Sequence, residues 1–507
     1  MRIFADGDIG FARFGEFAMS GLSLLGSLFL FVIGILVAVA LVLFFIDIFQ
    51  TKSAIRRNYP VIGRFRTLFS HLGEFFRQYF FAMDREEMPF NRAERDWVDH
   101  VSEDGNDVVP FGSTKHLTIG TPIFANGLFP KLEDDEPPVP DFVIGPDTRH
   151  PYRPKSLFNI SAMSYGSLSK PAIQALSKGA AMANCYLNTG EGGVSPYHLE
   201  GGCDVVYQMG TAKFGARNDD ATLNEDKLAA ICENTNIKMV EIKLSQGAKP
   251  GKGGILPGNK VTAEIAAIRG ISEGKSALSP NRHVDAANVE ELLDLIHRVR
   301  EASGRPTGIK MCIGNVDPII DLMKAIKRRG PQSAPDYIAV DGGDGGTGAA
   351  PLPLIDNTGM TIRESLPLMD DLLTQYGLRD RVKLIASGKL ITSADVAWAF
   401  CAGADLINNA RGFMFALGCI QALKCDKNTC PTGITTHNPR LQRGLDPTNK
   451  AVRVKNYIKT IIKEVEIIAH ACGVDEPRQL TRRHLLIVQA SGRSVPFDKV
   501  WDKSRYV

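Results

Sequence analysis

No sign of charge dominates this chain. Its 507 residues carry 59 lysines and arginines against 56 aspartates and glutamates, a formal net of +3. The dominant basic field of a nucleic-acid binder is therefore missing. Cysteine is sparse: nine residues, an odd number, irregularly spaced over an enzyme-sized chain. That excludes the disulfide framework of a small secreted domain. Low complexity is absent as well, because the 48 glycines gather in a few motifs. A chain of this length with 44% hydrophobic residues can bury one large core and still carry appendages.

One stretch lacks charge altogether. From Phe17 to Ile46 there is no Asp, Glu, Lys or Arg, and 22–46 reads LSLLGSLFLFVIGILVAVALVLFFI. At about 1.5 Å per helical residue, this run exceeds the roughly 30 Å hydrocarbon core of a bilayer. It is far longer than the h-region of a signal peptide, and no A-x-A cleavage site follows it. The expected layout is an extracytoplasmic segment over 1–21 and a transmembrane helix over 22–46. Lys52, Arg56, Arg57, Arg64 and Arg66 follow the run closely. Before it, Arg2 and Arg13 are diluted by Asp6, Asp8 and Glu16. The positive-inside rule then predicts a single-pass protein with its C-terminal bulk in the cytoplasm. Residues 47–154 read as a juxtamembrane or capping region, with an aromatic and charged stretch at 75–97. A linker is expected where the acidic run 133–136 meets Pro137, Pro138 and Pro140.

Beyond residue 155 short apolar runs alternate with helical patterns. FNISAM (158–163), KMVEIKL (238–244), GIKMCI (308–313), DYIAVDGG (336–343), VKLIASG (382–388) and ADLINNA (404–410) read as strands. LSKPAIQALSKGAAMAN (168–184) and PIIDLMKAIKRR (318–329) read as helices. Repeated βα units predict an α/β fold with a parallel sheet, and its length with Gly-rich strand ends favours a (β/α)8 TIM-type barrel over an open sheet. Residues 449–472 form a helical C-terminal extension, and 476–507 a polar tail.

Three strand ends carry Gly-rich loops: GGDGGTGAAP (342–351), SGK (387–389) and ARG (410–412). Glycines let backbone N–H groups converge on an anion. The first loop is not a Walker A motif, since no Gly-Lys-Ser/Thr follows it. Three such loops on successive strands predict a phosphate site of the kind barrels build after their last strands. Cys419, Cys425 and Cys430 then follow at C-x5-C-x4-C spacing. Zinc would need a fourth ligand, for which His437 is available. Buried free thiols remain an alternative, and three thiolates also suit an iron–sulfur cluster.

The ordered blocks SAMSYGSLS (161–169), NTGEGG (188–193), EIKLSQGAKPGKGG (241–254), LPGNKV (256–261), GGDGGTGAAP (342–351) and GCIQALKCDKNTCPTGITT (418–436) resemble the FMN-binding synthase domain of glutamate synthases. The resemblance spans residues 155–475, and is nearest to short, membrane-anchored bacterial forms. It implies FMN and a [3Fe–4S] cluster held by Cys419, Cys425 and Cys430. It implies catalytic roles for Lys249, Glu191 and Gln246, with Arg269 and Lys249 on the substrate. For FMN it implies Ala162, Met163 and Ser164 along the ring, Gln208 and Lys310 at its polar edge, and Gly345, Gly346 and Thr347 at the phosphate. Gly388 and Gly412, from the other two loops, join that set. The implied reaction is reductive amination of a 2-oxo acid, 2-oxoglutarate to glutamate in the family. An arginine matches a carboxylate bidentately, and a lysine beside other cations titrates nearer neutrality.

The chain departs from the family in three places. It starts Met-Arg and enters the apolar run, leaving no room for a glutaminase domain, so ammonia or an amine is expected from solvent or a partner. No FAD or NAD(P)H domain is legible, so electrons are expected from a ferredoxin-like carrier or a separate reductase. Where the family reads GEGGQLPG, this chain has Lys252 and Ile255. An apolar side chain there replaces an amide that contacts substrate, which weakens the case for 2-oxoglutarate itself. Two other readings remain: a flavin oxidoreductase acting on an N-substituted amino acid, and a non-catalytic membrane redox relay subunit.

Overall fold

The computed structural model describes residues 5–51, 53–105, 108–132 and 142–502, with side chains omitted at 5–16, 67 and 74. The expectations placed on residues 1–4, on Lys52, on the side chains flanking the apolar run at its N-terminal end and on the proline linker at 133–141 lie outside the described residues. The chain divides into two compact units, residues 1–92 and 93–507.

The first unit is helical. One 45-residue helix runs from Ala5 to Phe49. Its Phe17–Phe49 portion has a mean hydropathy of 3.3 and none of its most apolar window is buried, so it is long and apolar enough to cross a membrane. A short helix, Ala54–Asn58, and an amphipathic one, Ile62–Phe76, follow, the latter running into a wider-wound turn over Arg77–Phe81.

The second unit holds eight parallel strands: β1 (Phe158–Ile160), β2 (Leu187–Asn188), β3 (Val205–Met209), β4 (Ile237–Lys243), β5 (Thr307–Met311), β6 (Tyr337–Asp341), β7 (Lys383–Ser387) and β8 (Leu406–Asn409). They pair in sequence order, and β8 returns to β1 through Ile407–Phe158 and Asn409–Ile160, closing the expected barrel. The strands are almost wholly buried, as parallel strands covered by helices must be. This explains their near-continuous apolar runs.

The barrel interior is layered. At the N-terminal end an antiparallel bridge, Ile144–Tyr152, brings both residues into one apolar cluster with Tyr186, Val206, Met239, Tyr337, Ala339, Ile385 and Leu406. Gly308 on β5 makes room for Tyr337, since a Cβ there would lie 2.5 Å from its ring. Above the apolar layer polar groups take over. The Tyr186 hydroxyl donates to Asn408 Oδ1 at 2.8 Å. Asn188 and Gln208 both donate to Glu241 Oε1, at 2.9 and 2.6 Å. Lys310 pairs with Asp341 at 3.3 Å. Glu241, Lys310 and Asp341, the charges of this layer, thus all have partners, as low-dielectric surroundings demand.

Flanking chain braces the barrel. Pro122–Phe124 pairs antiparallel with Leu485–Val488, which pairs with Ser494–Pro496. Arg482, buried, binds Asp370 and Asp371 at 2.7 and 2.8 Å. The long helix Pro447–Ala471 lies on Lys170–Met182, and its Tyr457 packs edge-on against Phe158 and Phe413. The two helices meet closely at Gly179, where an added Cβ would sit 2.5 Å from Val454 Cγ1 and 2.8 Å from the Ala451 carbonyl. Gly179→Leu should therefore overpack this seam and cost about 1–3 kcal/mol, seen as a lower apparent unfolding temperature of the purified protein.

Candidate active site

The C-terminal strand ends open into one cleft, the end at which barrels of this kind place their ligands. The loops after β1, β2, β4, β6, β7 and β8 all reach it. The loop after β4 is the longest and covers the mouth with a small hairpin (Ile255–Leu256 with Ala277–Leu278) and the helix Ala263–Arg269.

One carboxylate sits among three cations. Glu191 Oε1 lies 3.1 Å from Lys243 Nζ, and Lys243 also donates to Gln246 Oε1 at 2.5 Å. Gln246 in turn donates to Thr347 Oγ1 at 3.3 Å, linking the β4 and β6 loops. Gly254 permits this arrangement, since a Cβ there would come within 2.2 Å of Glu191 Oε1. Burial pushes the Glu191 carboxyl up, but Lys243, Lys249 and Arg269 outweigh it and hold its pKa below the ordinary value. Glu191 is an anion at neutral pH. The Lys249 ammonium makes no hydrogen bond among the described residues; burial and the like charge of Lys243 lower its pKa, against the pull of Glu191.

Arg269 is 4% exposed and has no carboxylate partner among the described residues. One NH2 donates to the Tyr165 carbonyl at 3.2 Å, the guanidinium lies 5.2 Å from the Phe214 ring centroid, and Nε is buried without a partner. Burial lowers its pKa to about 10, with Glu191 opposing. A buried cation left so incompletely satisfied is a ready receptor for a carboxylate.

The opposite side fits a flavin. Ser161, Ala162, Met163 and Ser164 line the cleft along β1's end. Gln208 spends its amide nitrogen on Glu241, leaving Oε1 buried and unpartnered, an acceptor for a ring N–H. Lys310 is fully buried, which alone would lower its pKa, yet Asp341 and Glu241 raise it. Gly346, Thr347 and Gly388 line the cleft beside Lys389 and Arg411, a cationic surround suited to a phosphate. Gly345 and Gly412 do not line it. Gly345 packs against Gly342 and Gly247, and a Cβ on Gly412 would strike the Tyr457 hydroxyl.

The cysteine loop closes one wall, where Cys425 and Asp426 reach the cleft. Cys419 Sγ accepts the Gln421 N–H at 3.5 Å. Cys430 Sγ lies 3.4 Å from the Thr432 hydroxyl. Burial raises the Cys430 thiol, but hydrogen bonds from the Thr432 hydroxyl and the loop N–H groups outweigh it and lower its pKa. Gln421, Leu423 and Asn428 adopt left-handed conformations, φ 55°, 53° and 60°, strain that collects at functional sites. Among the described residues no three His, Cys, Asp or Glu side chains converge as a single-ion site. The His437 ring is engaged by the Gly166 carbonyl at 2.7 Å. The donor set, thiols with N–H and hydroxyl donors around them, fits a cluster better than zinc.

Sequence reasoning missed several of these groups. Lys243 and Asp341 end strands, where charge was noted but no role drawn. Lys260 lies inside a recognised block. It is 2% exposed, and its ammonium donates to the carbonyls of Ser167, Cys425 and Thr435 at 2.8, 3.2 and 2.9 Å. All three of its N–H groups are used, tying the cysteine loop to the loop after β1.

Residues 129–475 match the family described as the conserved region in glutamate synthase. The chain belongs to the glutamate synthase family. It is 37% identical to the glutamate synthase large subunit-like protein YerD of Bacillus subtilis, over 94% of this chain and 98% of that one. It is 36% identical to the archaeal glutamate synthase [NADPH] of Methanocaldococcus jannaschii, over 63% of this chain and 60% of that one. The glutamate synthase [NADPH] large chain of B. subtilis is 35% identical over 62% of this chain, a match that takes in only 20% of that protein.

The electrostatics of Lys249 make a two-way test. Glu191→Gln removes the anion that raises its pKa, so neutral amine should appear at lower pH. Lys243→Met removes a like charge, so it should appear at higher pH. Amine labelling of Lys249 against pH, read by mass spectrometry, should shift in opposite directions in the two variants.

Proposed function

We propose that this protein is a membrane-anchored FMN and [3Fe–4S] oxidoreductase of the glutamate synthase type. It reductively aminates a 2-oxo acid, 2-oxoglutarate being the reference substrate, with ammonia and with electrons from a partner protein. The observation that carries the reading is Arg269: a buried guanidinium with no carboxylate of its own among the described residues, beside the Glu191–Lys243–Lys249 cluster, in a cleft that the orphan acceptor Gln208 also lines.

Arg269 binds the carboxylate next to the reacting carbon. Glu191, held anionic, attracts ammonium and orients the nitrogen over that carbon. Lys249, its pKa lowered, exchanges protons with the carbonyl oxygen and then the amine. Gln246 spans Lys243 and Thr347 and fixes the lysine cluster against the phosphate side. Ala162, Met163, Ser164, Gln208, Lys310, Gly346, Thr347 and Gly388 hold FMN; Cys419, Cys425 and Cys430 hold the cluster, whose loop Lys260 secures. FMN held there would supply the hydride equivalent, and a cluster on the three cysteines would supply single-electron transfer.

The membrane part of the reading rests on the exposed apolar helix Phe17–Phe49 and on Arg56, Arg57, Arg64 and Arg66 after it, a basic flank that favours a cytoplasmic barrel. Substrate choice rests on Ile255, which lines the cleft. Its side chain offers no hydrogen bond to a distal carboxylate, so shorter or more apolar 2-oxo acids compete well.

Anaerobic reoxidation of the reduced, purified protein against a panel of 2-oxo acids with ammonium should proceed fastest with one of them. Arg269→Lys should raise the apparent substrate constant by roughly tenfold or more, as loss of a bidentate charged pair does. Reoxidation indifferent to every 2-oxo acid would leave the redox-relay reading in its place. Iron analysis should give about three irons per flavin, and Cys430→Ser should lose most of that iron while FMN stays.

A further inference from the structure

The N-terminal unit carries a second apolar surface that the catalytic reading does not use. On the helix Ile62–Phe76 every large apolar side chain is exposed: Ile62, Phe65, Leu68, Phe69, Leu72, Phe75 and Phe76. At 100° per residue these seven fall in one arc of about 140°. The remaining arc holds Gly63, Arg64, Arg66, Ser70, His71 and Gly73 among the residues with described side chains, none of them large and apolar. The exposed aromatics continue past the helix end as Tyr79, Phe80 and Phe81. An undivided apolar stripe of this size is not left in water without a partner.

The start of this helix is fixed against the end of the long apolar helix. Asp47, fully buried, accepts the Val61 N–H at 3.0 Å and two guanidinium bonds from Arg64, both at 2.8 Å. Gln50 adds a bracket, donating to the carbonyls of Asp47 and Ser53 and accepting the Ser53 N–H at 2.8 Å. Val61 takes a left-handed turn, φ 66°, which redirects the chain into the second helix. This bonded elbow sits within one turn of the last residue of the apolar span. Whatever depth the span's end occupies, the amphipathic helix begins there.

We propose that Ile62–Phe76 lies along the cytoplasmic membrane surface, its phenylalanine-rich face sunk among the upper acyl chains and its basic face toward anionic headgroups. The inference rests on the membrane reading of the preceding helix and extends it. Three features favour lipid over a second copy of the chain: the stripe is continuous with the span, its first turn is hydrogen-bonded to the span's end, and Arg66 and Arg77, with Arg64 already paired to Asp47, give the polar face charge that suits an anionic surface. Phe and Leu are side chains that interfacial helices bury at this boundary.

The test uses the full chain reconstituted in phosphatidylethanolamine–phosphatidylglycerol vesicles carrying nitroxide lipids. Phe69→Trp and Phe76→Trp place reporters on the apolar face and Ser70→Trp places one on the polar face, each read as the increment over the native tryptophans. The added emission of the first two should be lost with a nitroxide near the headgroup and largely kept with one at the acyl terminus; that of Ser70→Trp should be kept with both. Equal quenching of all three would overturn the proposal. So would loss of self-association in Phe69→Asp with the Phe76→Trp signal unquenched, since the face would then pack on a second copy. Release of the unsubstituted chain by alkaline carbonate would overturn the membrane reading itself, whereas retention with unquenched reporters would overturn only the placement of this helix.

Discussion

The cleft is held together by an excess of positive charge around one carboxylate. Glu191 has three cations about it, and only Lys243 touches it. Lys249 and Arg269 are buried nearby with less than a full set of partners. Such an arrangement cannot be made for stability, because two apolar side chains in their places would cost less to bury. It is relieved in two ways: by a lowered pKa at the lysine, and by admitting an anion. The part of the cleft lined by Arg269 and Lys249 is where that anion fits.

The barrel makes this arrangement possible by dividing its interior. Ile144, Tyr152 and the strand residues around them fill the N-terminal end with apolar packing. The polar layer above, Asn188–Glu241–Gln208 and Lys310–Asp341, is satisfied internally except at Gln208 Oε1. Asp341 also accepts the Gly247 N–H at 3.0 Å. The β4 loop that carries Gln246 and Lys249 is thus anchored to the same carboxylate that pairs with Lys310. Flavin-facing and substrate-facing groups share one rigid base, which is what holds reacting parts at fixed separation.

Six of the eight strands are legible as apolar runs between helical patterns. The other two are not, for different reasons. β2 is two residues long, too short to show any period. β3, VVYQM, is five residues between glycine turns, with no strong helix start close behind it. The site was legible mainly as ordered blocks, because its residues are scattered over six loops and only the fold brings them together. Gly345 and Gly412 show the limit of that kind of reading. A glycine in a loop looks the same whether it clears space for a ligand or for a neighbouring chain, and these two clear space for Gly342 and Tyr457. Lys243 shows the opposite limit: the ion pair of Glu191 is made by a strand-end lysine six residues before the one that the motif singles out. The tail from 476 is legible as polar, but Arg482 and Trp501 bind it to Asp370 and Asp371, pairings over a hundred residues apart in sequence.

The lowered pKa of Lys249 takes on further meaning under the proposed reaction. In the empty cleft burial and Lys243 favour its neutral form. A 2-oxo acid seated on Arg269 brings at least one negative charge close by, which moves the Lys249 pKa upward again. Binding of the anion is therefore linked to uptake of a proton at Lys249, and the two strengthen each other. Loss of oxygen from the 2-oxo acid as water, on the way to the imine, consumes a proton at this place. Substrate charge thus arms the acid its own conversion requires. The departing amino acid, bearing an ammonium, weakens the field that held the proton and favours release of both.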